Sequence, residues 1–474
     1  MIIMKSNNEF DVVIVGSGPA GVNAAYPLIE AGLKVAIIDG GLDSKKKDKQ
    51  LNDFSDINLS EASNAYELIR DNSYIFNKTY ELLKIKSKIE IIQSLAKGGL
   101  SEVWNGISDF FTPSELKRTG LPVDEIQKEY KEIAKRVKFE SLPLDLHSKL
   151  LLQASKENKH LKSSVYQTPS FLSYRSSKSI EELKKYKNFT YLPNQLVYIV
   201  NDKTQNVEVE SVSIDKGKEF ITKGRFLILA AGSINTTRIL LRSFQLFDYR
   251  TTFLTKAHYV IACLHLKTLI SKRTFRKKKI AQLAISSDEI KEGLNSFFIQ
   301  LFRFNSLAVN KAIKHIPLPK FIALSLLTII TPSLVIADVR LPCFESKDKF
   351  YSLKKVYDGR DILEIVFNET KKELEDHKKD LDKIKHQLRS LGLFPLKMGN
   401  DYVTAHYGGG VPFGDKQRKL SVDSTGKLFQ ADRIYVADSS TWRALPSKPP
   451  TLTIMANASW VGKNVLKELL ENKK

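Results

Sequence analysis

The feature that most constrains this chain lies at residues 11–39, DVVIVGSGPAGVNAAYPLIEAGLKVAIID. A five-residue apolar run, DVVIV, reads as a buried parallel strand. It runs straight into Gly16-Ser-Gly18-Pro19-Ala20-Gly21, and residues 22–31 then have helical character that Gly32 ends. A second apolar strand, 35–38, closes on Asp39. Strand, glycine turn, helix, strand and terminal acid within about thirty residues form a βαβ unit of the dinucleotide-binding kind. Its glycines allow a tight turn, close approach of a pyrophosphate, and close packing of helix on strand. The helix start offers unpaired N–H groups to phosphate. Asp39 is placed to accept a hydrogen bond from a ribose hydroxyl.

Such a motif does not say which dinucleotide is bound. The remainder of the chain, 474 residues in all, has room for a second domain or a large insertion. Residues 40–64 read as a polar surface loop, and 111–165 as helical and charged, most clearly over 123–137. Strand patterns follow at 197–200, 207–214 and 226–230. The last leads into Ala230-Ala231-Gly232-Ser233, another strand–glycine–helix junction. Residues 251–360 change character, 369–391 read as an amphipathic helix, and strand and glycine signals return over 401–461.

Taken together, four segments in fixed order resemble the glucose–methanol–choline (GMC) oxidoreductases, with a looser likeness to bacterial members from glycan gene clusters. They are the fingerprint with Asp39; Gly98-Gly99-Leu-Ser101 through Asn105-Gly106; Ala230 to Ser233 with Thr236; and a last stretch. That stretch runs from Ala405-His406-Tyr-Gly408 through Asp438-Ser-Ser440 to Pro449-Pro-Thr451. The resemblance implies an α/β fold: a Rossmann-type FAD-binding domain with an inserted α+β substrate-binding domain built on an antiparallel sheet. The expected division gives 1–120, 186–250 and 400–474 to the first, and 121–185 and 251–399 to the second. It also implies roles. Gly16, Gly18, Pro19, Ala20, Gly21 and Asp39 hold the adenosine and pyrophosphate. Gly98, Gly99, Ser101 and Asn105 pass along the flavin, and Val197 lies near the adenine. Ala231 and Gly232 belong to the same site, Asp438 bonds the ribityl or phosphate region, and Thr451 starts a helix aimed at the flavin. No His or Cys stands between Gly98 and Gly106, so FAD is expected to be non-covalent.

His406 occupies the place of the family's active-site histidine and is expected to be the base that takes the hydroxyl proton. An imidazole suits that task near neutral pH. One departure stands beside it. Where the family keeps a second Asn or His, this chain has Pro449, which has no side-chain hydrogen-bonding group. The adjacent Lys448 is a candidate substitute.

The expected reaction is oxidation of a CH–OH group, of a sugar, polyol or lipid-linked sugar, with the electron acceptor unnamed. Two other readings stay open: a flavin reductase using NAD(P)H, and a decayed flavoprotein at a membrane surface. Against the first, only one dinucleotide fingerprint is evident. Charge bears on the second: 74 basic against 53 acidic residues give a net +21. The basic cluster 272–279 and the 17 uncharged residues 321–337, too short for the ~20 of a spanning helix, suit contact with an anionic membrane. A buried helix or strand of the substrate domain is the favoured reading of 321–337. No nucleic-acid motif is present, and no such partner is expected. Two distant cysteines and the lack of a signal peptide point to the cytoplasm, or its membrane face.

Overall fold

The computed structural model describes residues 4–43, 73–104, 106–139, 143–158, 161, 163–169, 174–268, 281–287, 296–303, 317–319, 321–323, 325, 330–355, 361–400, 405–414 and 416–471. The fingerprint folds as its pattern predicts. Strand Met4–Val15 is followed by helix Pro19–Glu30 and strand Val35–Ile38, and the two strands pair in parallel from Val12↔Val35 to Val15↔Ile38. Residues 12–15 and 35–38 are buried on both faces, which is why these strands read as unbroken apolar runs.

Phe189–Leu192 joins one side of this pair in parallel, and Glu219–Leu229 joins the other. The C-terminal half of Glu219–Leu229 also takes Ile434–Val436 in parallel. Its N-terminal half instead meets an antiparallel meander, Val207–Ser213 and Gln195–Asp202. These make one seven-stranded sheet. The C-terminal helix, Thr451–Glu471, packs on the first helix beside it.

A second, six-stranded sheet is antiparallel throughout, in the order Leu393–Asn400, Ala257–His265, Leu334–Leu341, Phe297–Arg303, Leu283–Ser287, Ser164–Gln167. Its two faces differ, as the period of two requires. Tyr259, Ile261, Cys263, Ala337, Val339, Ile299 and Leu301 pack against Leu381, Ile384 and Leu388 of helix Lys371–Ser390. That helix starts at a capping box, Thr370 with Glu373. The alternate positions carry His258, Gln300, Asp338 and Arg340 to the other face, and Lys256 immediately precedes the strand of His258.

The α/β fold with an antiparallel second sheet is therefore the one expected. Residues 123–136 and 349–367 lie within the ranges expected for the inserted domain. They contribute Ile126, Tyr130, Ile133, Tyr351, Leu353, Leu363 and Ile365 to the first core. Of the uncharged run 321–337, residues 334–337 open the buried strand Leu334–Leu341, while Phe321 and Ile322 are exposed. The basic cluster 272–279 and most of the loop 40–64 lie outside the described residues. Among the described residues no helix is long and apolar enough to cross a membrane.

Candidate active site

One cavity of about 1340 Å³ is bordered by both sheets. From the parallel sheet it takes the C-terminal strand ends Val15-Gly16, Ile38-Asp39, Ala230-Ala231 and Asp438. Ligands of open α/β sheets bind at such ends. Gly16, Gly18, Pro19, Ala20, Asp39, Gly99, Ser101, Val197, Ala231, Gly232, His406, Asp438 and Thr451 all line it. Gly21 and Gly98 stand behind its wall, and Asn105 lies outside the described residues.

At the fingerprint, Gly18 precedes the first helix with no side-chain cap and Pro19 in the first turn. The first N–H groups of such a helix have no partner within it. A Cβ on Gly18 would meet nothing within 4 Å, so the space beside this turn is open. An uncapped helix start facing open space fits a diphosphate. Asp39 is held ready beside it. Its carboxylate accepts from Ser17 Oγ at 2.6 Å, Tyr191 Oη at 3.0 Å and the Gly41 N–H at 3.1 Å. Burial raises its pKa to about 6 against these hydrogen bonds. Ser17 Oγ also accepts from the Gly98 N–H at 2.8 Å, which ties the second glycine segment to the first. Ser101 fixes that segment in turn, donating to the Gly98 carbonyl at 2.7 Å. Sequence reasoning passed over Ser17 and Tyr191, whose roles depend on contacts between distant segments.

Asp438 is buried and accepts from Thr236 Oγ1 at 2.6 Å and the Ser440 N–H at 2.9 Å; burial raises its pKa too. The helix beginning at Thr451 meets the cavity with Pro450, Thr451 and Ile454. Ser108 pins this start by donating to the Pro449 carbonyl at 2.9 Å and accepting from the Leu452 N–H at 3.1 Å.

The far end of the cavity is formed by the polar face of the antiparallel sheet with His406. Arg340 Nη1 donates to His406 Nδ1 at 3.3 Å. A guanidinium only donates, so the neutral ring carries its hydrogen on Nε2. Asp338 orients the arginine, accepting from Arg340 Nε at 3.1 Å, and sits 3.0 Å from His258 Nε2. Burial, then the charges of Lys256 and Arg340, push the His406 pKa well below its usual value. Lys256 is 2% exposed, and its Nζ donates to the Ser447 and Lys448 carbonyls. Burial and then Arg340 push its pKa far down.

Lys448 does not replace the missing second residue. Its Nζ is turned 3.3 Å from Glu115 in a buried pair, and it does not line the cavity. The side chain that reaches the backbone next to Pro449 from within the cavity is Lys256.

Comparison with known proteins agrees with this geometry. Residues 371–458 match the family model for GMC oxidoreductase, and residues 11–44 match that for an FAD binding domain. The GMC oxidoreductase match thus falls on the segment that carries His406, Asp438 and Thr451, and the FAD-binding match on the fingerprint. Its fold is shared with pyridoxine 4-oxidase from Mesorbium loti, at TM-score 0.65 and 12% identity over 96% of this chain and 99% of that one. In sequence it is 32% identical over 150 residues to thiamine thiazole synthase of Pyrococcus furiosus, which covers 27% of this chain and 58% of that protein. It is 56% identical over 36 residues to soluble pyridine nucleotide transhydrogenase of Vibrio atlanticus, 8% of each. The chain thus spans less than two thirds of either curated relative.

Proposed function

We propose that this chain is a GMC oxidoreductase that oxidises a CH–OH group, with FAD held non-covalently and His406 as the base. The observation that carries this is the continuity of one cavity from the fingerprint and Asp39 to His406. FAD would supply the hydride acceptor. Asp39 and the Gly16–Gly21 turn would hold its adenosine and pyrophosphate, with Ser101 and Asp438 along the remainder. The start of helix Thr451–Glu471 places positive dipole at the cavity wall, where it favours an anionic reduced ring. Non-covalent attachment rests on the glycine segment, where no His or Cys stands between Gly98 and Gly106.

His406 is uncharged at neutral pH in this setting, and only an uncharged imidazole can accept a proton. A sugar or polyol is the substrate that the family resemblance favours. The test is release of the cofactor. Acid precipitation of the purified protein should leave FAD in the supernatant. Flavin retained in the pellet would refute non-covalent binding, and the absence of any flavin after reconstitution would refute the reading as a whole.

A further inference from the structure

We infer that the substrate end of the cavity is an oxyanion site, so that the alcohol oxidised here carries a carboxylate or a phosphate. The inference rests on the proposed function and narrows its substrate. The polar side chains that reach the cavity from the antiparallel sheet are Lys256, His258, Gln300 and Arg340, and His406 stands opposite. Four of these five are bases, and no acid is among them. Asp338 lies behind the wall and engages Arg340 and His258.

Lys256 is the more telling residue. Among the described residues no carboxylate lies within ion-pair distance of its Nζ, although it is 2% exposed. Its hydrogen bonds go to two carbonyls, which satisfy N–H groups without neutralising charge. Nearby acids are few: Asp338 is taken up by Arg340, and Glu115 by Lys448. A neutral polyol would leave this end as it is. A substrate oxyanion would pair with Lys256 and Arg340 together.

The same anion would assist the base. His406 resists protonation partly because two cations face it. A negative charge between them would raise the proton affinity of both His406 and Lys256. Anion binding should therefore draw protons from the buffer and tighten as pH falls. The groups facing this point are Lys256, His258, Asp338, Arg340, His406 and, behind Lys448, Glu115.

The test is titration of the oxidised, flavin-loaded protein with acetate, acetamide and inorganic phosphate at fixed ionic strength. The flavin absorbance and the calorimetric heat are both followed. Saturable binding of acetate, of phosphate or of both, without acetamide, is expected. Acetate alone indicates a carboxylate substrate, and phosphate alone a phosphate ester. Lys256→Met should weaken binding at least tenfold, and Arg340→Met likewise. Equal behaviour of acetate and acetamide would overturn the inference without needing a variant to fold. A protein silent to anions that is still bleached by neutral polyols would sink this inference and leave the flavoenzyme reading intact. Anion binding by calorimetry in a protein that takes up no FAD would do the reverse.

Discussion

Arg340 donates a 3.3 Å hydrogen bond to the Nδ1 of His406, and the Asp338 carboxylate behind it fixes the guanidinium in that pose. A permanently charged donor beside the base opposes its protonation. The acid limb of the second-order rate of flavin reduction at low substrate, which reports the free enzyme, should therefore lie below pH 6.5, because His406 stays uncharged to lower pH than a free histidine. Arg340→Met should move that limb upward. Anaerobic stopped-flow reduction across pH 5 to 8 checks both, and a wild-type limb at or above 6.5 would contradict them.

The turn glycines separate packing from ligand binding. A Cβ on Gly21 would fall 1.8 Å from the Gly16 carbonyl oxygen, so Gly21→Ala should disrupt the strand–helix junction and lower stability. Gly18 has φ −66° and open space around it, so Gly18→Ala should cost the flavin-free protein at most about 1 kcal/mol, an ordinary capping difference. Its FAD affinity should nevertheless fall. Thermal unfolding and FAD titration of the two variants measure the contrast. Unaltered affinity in Gly18→Ala would remove the diphosphate from that turn.

Asp39 makes the flavin-free protein sensitive to pH. Its native pKa, about 6, lies above the ordinary 3.8, so the folded state holds the proton more tightly than the unfolded state. This contribution is full below about pH 4 and is lost as pH rises through 6. The two-unit shift sets an upper bound of about 3 kcal/mol. Urea unfolding at pH 4.5 and 7 should show that Asp39→Asn gains more stability relative to wild type at pH 7 than at pH 4.5.

The Lys448–Glu115 pair is structural. Both side chains are buried, at 6% and 3% exposure. Lys448→Met should cost about 3–5 kcal/mol by leaving Glu115 charged and unpaired by lysine. Adding Glu115→Gln should restore much of that, as denaturant unfolding would show. A variant of normal stability that has lost only its reaction with substrate would return Lys448 to the active site.

The fingerprint was legible because its elements are local: strand, turn, helix, strand and Asp39 follow one another within the first forty residues. Helix Lys371–Ser390 was legible from its own amphipathic period. The substrate end was not. His258, Gln300 and Arg340 alternate with apolar neighbours, but they come from three strands separated by long intervening segments, and Lys256 lies just before the first of these. Only the pairing of those strands, His258↔Arg340 and Gln300↔Asp338, shows that they share a face. A period-two pattern of polar residues inside otherwise apolar strands was the available signal. Ser17 escaped for a related reason, since its hydroxyl acts by joining Gly98 to Asp39.

The most direct measurement is anaerobic addition of candidate hydroxy acids, phosphorylated alcohols and neutral polyols to the flavin-loaded protein and to His406→Ala, with the visible spectrum recorded. The account predicts that one class bleaches the wild-type flavin. It also predicts that the variant, with an intact oxidised spectrum, is bleached about 10²–10⁴ times more slowly. Equal bleaching of both proteins would contradict the assignment of the base, and oxidised bands unmoved by every alcohol would contradict oxidation of a CH–OH group at this site.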